Sequence, residues 1–121
     1  MNPHVKKKWL EALRERKIGN EPIQQGIGLL KKNSNQYCCL GVLCELYRIE
    51  QNNGIWKETI DLEGNSCFEI FDSFNYLPYP VKIWAELPEG NPRIPEHGRL
   101  AYLNDKPMSF DEIANLIEEY L

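Results

Sequence analysis

Apolar residues recur along this chain with two different periods, and the changes of period mark its elements. Between Pro3 and Arg16, Val5, Trp9 and Leu13 fall at every fourth position with Leu10 beside them, while Lys7, Lys8, Glu11 and Arg14 take the other side. That spacing predicts an amphipathic helix with one buried stripe. Asn2 is a suitable cap, Pro3 suits the first helical position, and Gly19-Asn20 reads as the stop. After Pro22 the run IQQGIGLL reads as a short extended segment in which Gly26 and Gly28 bend a strand or admit a close neighbour. A polar loop, Lys31 to Asn35, leads to a second helix expected over about Gln36 to Glu50. There Cys39, Leu40, Leu43, Cys44, Leu46 and Tyr47 make the surface apolar nearly all round, as a central buried helix requires.

Asn52-Asn53-Gly54 ends that helix in a turn. Ile55 to Ile60 and Cys67 to Phe71, separated by a turn at Gly64-Asn65, alternate as a hairpin does, with residues 23–30 as a candidate third strand. Pro80 can open a short helix that ends before Pro88, with Trp84 and Leu87 facing inward. Residues 88–98 hold Pro88, Pro92, Pro95, Gly90 and Gly98 and read as a mobile or ligand-covering loop. A helical turn from Arg99 to Asn104 precedes Ser109-Phe110-Asp111-Glu112, a capping box, with Met108 and Ile113 as the staple across it. Ile113, Leu116, Ile117 and Tyr120 stripe the final helix. The sum is an α+β fold in a single small domain, about four helices packed on a small antiparallel β-sheet.

Length and composition bound the function. With 121 residues and 42% apolar content including three Trp, six Tyr and four Phe, the chain has material for one core. The longest apolar run, Cys38 to Cys44, is seven residues and contains Gly41, far short of the roughly 20 that span a membrane. Lys6, Lys7 and Lys8 precede a charged amphipathic stretch instead of the apolar core of a signal peptide, so a cytoplasmic location is expected. Cys38, Cys39 and Cys44 crowd one segment and read as reduced, buried thiols. With Cys67 and His97 they lack the paired spacing of a zinc site. The net charge of −4 divides unevenly: residues 1–32 carry eight Lys and Arg against three Glu, and the rest carries six against fifteen Asp and Glu. This pattern fits an anion-binding face, charge-complementary subunits, or simply two solvated faces, and it disfavours long duplex nucleic acid as a partner.

No set of residues composes a catalytic centre. His4 and His97 stand apart in a terminal stretch and a proline-rich loop, and Asp111, Glu112, Glu118 and Glu119 occupy helix ends where they serve the dipole or solvation. Cys38, just before a helix, is the one conceivable nucleophile, though a core role is the commoner one for such a thiol. Binding is better provided for. Tyr37, Trp56, Tyr76, Tyr79, Trp84 and Tyr102 exceed the needs of a small core, and rings with Lys or Arg nearby hold bases and phosphates. Gln24, Gln25, Arg99 and Asn104 sit near predicted turns, where they either read a polar ligand or close turns and caps.

Taken together, Lys8-Trp9, Ala12-Leu13, Gln25-Gly26-x-Gly28-x-Leu30, the segment YCCLGVLC from Tyr37 to Cys44 with Leu46, Leu77-Pro78, Val81, Trp84-Ala85, Leu87, Leu103-Asn104-Asp105 and Ser109-Phe110-x-x-Ile113-Ala114 resemble a family of small bacteriophage proteins. The resemblance covers nearly the whole chain. Lys106-Pro107-Met108 departs from it, where a polar, glycine-containing turn is expected. It implies a phage accessory protein and carries over no catalytic residue. The leading expectation is therefore a counter-defence protein that sequesters a nucleotide-derived immune signal without catalysis and without a cofactor. Gln25, Lys31, Tyr37, Trp56, Arg99, Tyr102 and Asn104 are the candidate ligand-binding residues, in a homodimer or higher homo-oligomer. A protein that masks a host or phage protein is the alternative, and a small hydrolase using Cys38 or His97 the third.

Overall fold

The computed structural model describes residues 1–121. Its first helix, α1 (Pro3–Glu15), opens as its local sequence dictates: the Asn2 side-chain oxygen accepts from the Val5 N–H at 3.1 Å, satisfying a donor that the helix cannot. It closes earlier than Gly19, because Arg16 itself turns left-handed at φ 53° and donates its N–H to the Ala12 carbonyl. Gly19-Asn20 instead turns a tight hairpin between β1 (Lys17–Ile18) and β2 (Glu21–Pro22).

The extended segment after Pro22 yields only two paired residues. β3 (Gln24–Gln25) lies parallel to β4 (Gln36–Tyr37), and Lys31 forms isolated antiparallel bridges to Tyr37 and Phe68 that tie this ladder to the later hairpin. Because Gln36 and Tyr37 are strand, α2 (Cys39–Gln51) starts after them, with Cys38 extended as its cap and the Cys38 Sγ accepting from the Gly41 N–H at 3.4 Å. Cys39, Leu40, Gly41, Val42, Leu43, Cys44 and Tyr47 are all buried, so α2 is the central helix that its composition predicts. Gly41 lets the Leu30 backbone cross α2 directly: a Cβ there would overlap the Leu30 carbonyl.

β5 (Lys57–Ile60) and β6 (Ser66–Glu69) form the expected hairpin, with Thr59 opposite Cys67. α3 (Tyr79–Ala85) follows Pro78, and Leu87 beyond it is buried while Trp84 is only half-buried. Residues 88–98 are not a loose cover. β7 (Arg93–Ile94) and β8 (Gly98–Arg99) pair within and just beyond them, Ile94 is fully buried, and the Gly90 and Pro92 carbonyls accept from Leu77 and Leu100 at 2.9 Å each. The three prolines fix their own φ angles, and within this irregular backbone Pro92 and Ile94 are buried.

The turn beginning at Leu100 is a full helix, α4 (Leu100–Asp105), so the helices number five with α5 (Phe110–Tyr120). Ser109 caps α5 by accepting from the Glu112 N–H at 3.2 Å, while the Glu112 carboxylate accepts from the Ser109 hydroxyl rather than from its backbone. One cluster of 28 buried residues runs through α1, α2, α3, α4 and α5, which makes this a single small α+β domain. In place of one sheet there are four two-stranded ladders. All four cysteines are buried free thiols, and no helix is long and apolar enough to cross a membrane.

Candidate functional site

The seven residues expected to bind a ligand are distributed over three places. Arg99 and Tyr102, at the start of α4, line an open-sided groove of about 500 Å3 together with Gly28, Tyr76, Asn91 and Asp105. The geometry follows from three anchors. The Asn91 side chain accepts from the Ala101 N–H at 3.0 Å, Asp105 accepts from the Gly28 N–H at 2.8 Å, and the Arg99 guanidinium donates to the Asn91 carbonyl and the Glu89 carboxylate at 2.9 and 2.8 Å. Gly28 sits at φ +83°, a left-handed conformation that glycine takes without strain. Tyr102 is 63% and Tyr76 47% exposed, so both rings are open to a flat partner. The Arg99–Glu89 pair is exposed, and pairs of that kind are worth about 0–1 kcal/mol, so an incoming anion can displace the carboxylate.

Cys38 faces the same groove from the cap of α2. Burial pushes its thiol up to about 11, which leaves the protonated, weakly nucleophilic form at neutral pH. Neither histidine stands with it in the groove: His97 packs against the Tyr120 ring at 5.9 Å and His4 bonds Glu50 at 2.8 Å.

Lys31, Tyr37 and Trp56 come together elsewhere. The Lys31 ammonium lies 5.3 Å from the Tyr37 ring centre, 5.4 Å from that of Trp56 and 5.2 Å from that of Phe68. These rings hold a cation the protein supplies itself, and Tyr37 is 4% exposed, so they are not a platform for stacking a base.

Gln25 and Asn104 are committed to the fold. Asn104 is fully buried; its Oδ1 accepts from Gln25 Nε2 and the Cys39 N–H at 3.1 Å each, and its Nδ2 donates to the Gly26 carbonyl at 2.8 Å and to Asp105 at 3.4 Å. Gln25 also donates to the Met108 carbonyl at 2.7 Å. An amide has two acceptor and two donor positions, and all four of Asn104 are taken. Its assignment as a ligand-reading residue is therefore corrected to a cross-link between α4, the Gly26 backbone and the start of α2.

Residues 1–121 match the sequence pattern of one protein family along their whole length. The chain belongs to the family described as Domain of unknown function (DUF8296). No curated protein and no solved structure matches it. The groove residues outside the expected ligand-binding set include Gly28, Asn91 and Asp105, along with Cys38 as a lining residue. Of these only the Gly26-x-Gly28 pair carried a local sign, that of close backbone approach.

Proposed function

We propose that this chain is a phage accessory protein of counter-defence type that binds and sequesters a small nucleotide-derived signal in the Arg99–Tyr102 groove without altering it. The observation that carries the reading is that one guanidinium, held only by an exposed carboxylate and a backbone carbonyl, lines the same groove of about 500 Å3 as two exposed tyrosine rings, Tyr76 and Tyr102. That volume lies within the usual range for small-molecule sites, a base can stack on either ring, and Arg99 suits a phosphate. The high thiol pKa of Cys38 and the absence of both histidines from the groove lining support binding over hydrolysis. The phage origin rests on the sequence resemblance. A second copy covering the open side would complete the enclosure, in keeping with a homo-oligomer.

The test mixes the protein with cyclic oligonucleotides and ADP-ribose-derived nucleotides, follows the melting temperature, and recovers the nucleotide after heating. A rise of several degrees with the nucleotide intact is expected, because a ligand that binds only the native state raises apparent stability. The rise should vanish in Arg99→Ala and Tyr102→Ala. An altered nucleotide would replace the proposal with an enzyme.

A second reading, that the protein masks another protein, is favoured by one observation. The tip of the β5–β6 hairpin exposes Ile60 and Leu62 beside Phe74, with Asp61, Glu63 and Glu69 around them. Exposed apolar side chains of this size grouped on one surface mark protein contacts. Absence of any nucleotide-induced shift, with capture of a partner abolished by Leu62→Ser, would establish it instead.

A further inference from the structure

The Lys31 cluster has donors that no protein group accepts from. A separate cavity of about 250 Å3 is lined by Lys31, Ser34, Asn35, Tyr37, Glu45 and Arg48, with Glu21 at its edge. Tyr37 is 96% buried by its 4% exposure, its hydroxyl bonds no protein group, and yet no unpartnered polar atom of the protein is fully sealed. The hydroxyl is therefore not sealed, and Tyr37 is one of the residues that line the cavity. Burial holds this phenol above its ordinary pKa, so it remains a donor. Lys31 is half-buried among three rings and its ammonium has neither a carboxylate partner nor a hydrogen-bond acceptor from the chain. The backbone at Lys31 is pinned from both sides by its bridges to Tyr37 and Phe68, so the stem that carries this charge starts from a fixed point.

The carboxylates that face the cavity do not meet this demand. Glu45 accepts from Arg48 Nε at 2.6 Å, from Arg48 Nη2 at 3.0 Å and from Trp56 Nε1 at 3.0 Å, so its oxygens are engaged by a forked pair; its charge still favours the Lys31 ammonium, but desolvation by burial outweighs it and lowers the Lys31 pKa. Glu21 is exposed on β2, where solvent screens it. One ammonium without a hydrogen-bond acceptor and one phenolic donor remain, with Ser34 and Asn35 also lining the cavity and Arg48 Nη1 free of any protein bond.

We infer that this cavity is a second, independent site for a small oxyanion of the phosphate or carboxylate class, held between the Lys31 ammonium and the Tyr37 hydroxyl. It does not depend on the nucleotide reading, since no lining residue is shared with the Arg99 groove. The ion would supply the acceptors that both donors lack, and a volume of about 250 Å3 admits it.

Inorganic phosphate, sulfate and acetate serve as probes, titrated against the full chain with chloride held at constant ionic strength, and read by Trp fluorescence and by melting temperature. Trp56 borders the site through Glu45 and Lys31 and should report occupancy. Saturable binding of at least one probe is expected. Tyr37→Phe, which removes one oxygen and keeps the packing, should weaken it about tenfold, the scale of one hydrogen bond to a charged group. Lys31→Met, which keeps an apolar stem against the rings, should abolish it, and Arg99→Ala should leave it unchanged. No saturable change with any probe would overturn the proposal. So would binding that survives both Tyr37→Phe and Lys31→Met in variants whose circular dichroism matches the parent.

Discussion

Replacing Asn104 by alanine tests the claim that this amide is a cross-link of the fold. The side chain joins α4 to the Gly26 carbonyl and to the first turn of α2, and it has no exposed surface. Truncation leaves the Cys39 N–H and the Gly26 carbonyl without the partner they have now, whereas Gln25 keeps its bond to Met108. A buried backbone group left unpaired costs about 1–3 kcal/mol, so two of them predict a loss of about 2–6 kcal/mol, from which a water entering the cavity would subtract. Domains of this size are stable by about 5–15 kcal/mol, so the loss is large. Urea unfolding followed by circular dichroism measures it: the midpoint should fall by about 1 M or more with the slope unchanged. Asn104→Asp separates chemistry from shape. A carboxylate would face the Gly26 carbonyl with no donor to offer it, so this variant should be strongly destabilised at neutral pH. Its folded-state carboxyl is raised above the unfolded value, so stability should return as pH falls and the acid becomes a donor. A loss below about 1 kcal/mol for Asn104→Ala, on the scale of an ordinary surface change, would refute the reasoning.

Two further perturbations test other parts of the structure. Gly41→Ala raises helix propensity by about 1 kcal/mol yet drives a methyl into the Leu30 carbonyl; overpacking costs about 1–3 kcal/mol or more, so a lowered melting temperature is expected and a raised one would show that the contact can relax. Glu50 accepts from Lys8, His4 and Trp84 at 2.8, 2.8 and 3.0 Å, and these bonds, that of Lys8 foremost, hold its carboxyl at about 2. A depressed carboxyl stabilises the fold above its unfolded pKa and ceases to do so as pH falls through the folded value. The stability gap between the parent and Glu50→Gln, from urea unfolding at several pH values, should therefore be full above about 4.5 and close toward pH 2; a gap independent of pH would contradict the network.

Features confined to a few neighbouring residues were legible in the sequence. Asn2 with Pro3, and Ser109 with Glu112, mark their helix starts because a cap acts on donors within three residues. The apolar stripes of α1 and α5, and the all-round burial of α2, follow from period alone. The ends were less secure: Arg16 and Asn52 both close their helices at positive φ, and only the asparagine is a residue type that announces it. The α+β class was likewise readable. That the strands would remain four short ladders was not, because pairing depends on partners that alternation does not name.

The chemistry depended on distance in space. Asn104 and Gln25 are 79 residues apart and satisfy each other; from sequence they are two polar residues near turns, equally suited to a ligand. Lys31 gathers rings from Tyr37, Trp56 and Phe68 on three separate segments, and the Arg99 groove takes its walls from residues 28, 76, 91 and 102. The sequence by itself determined where the side-chain-capped helices α1 and α5 begin, which faces they bury and that the chain makes one core, since these follow from local sterics and apolar period. Only the tertiary structure decided which polar residues are spent on one another and which still have donors to offer, because satisfaction of a hydrogen-bonding group is a property of its neighbours in space.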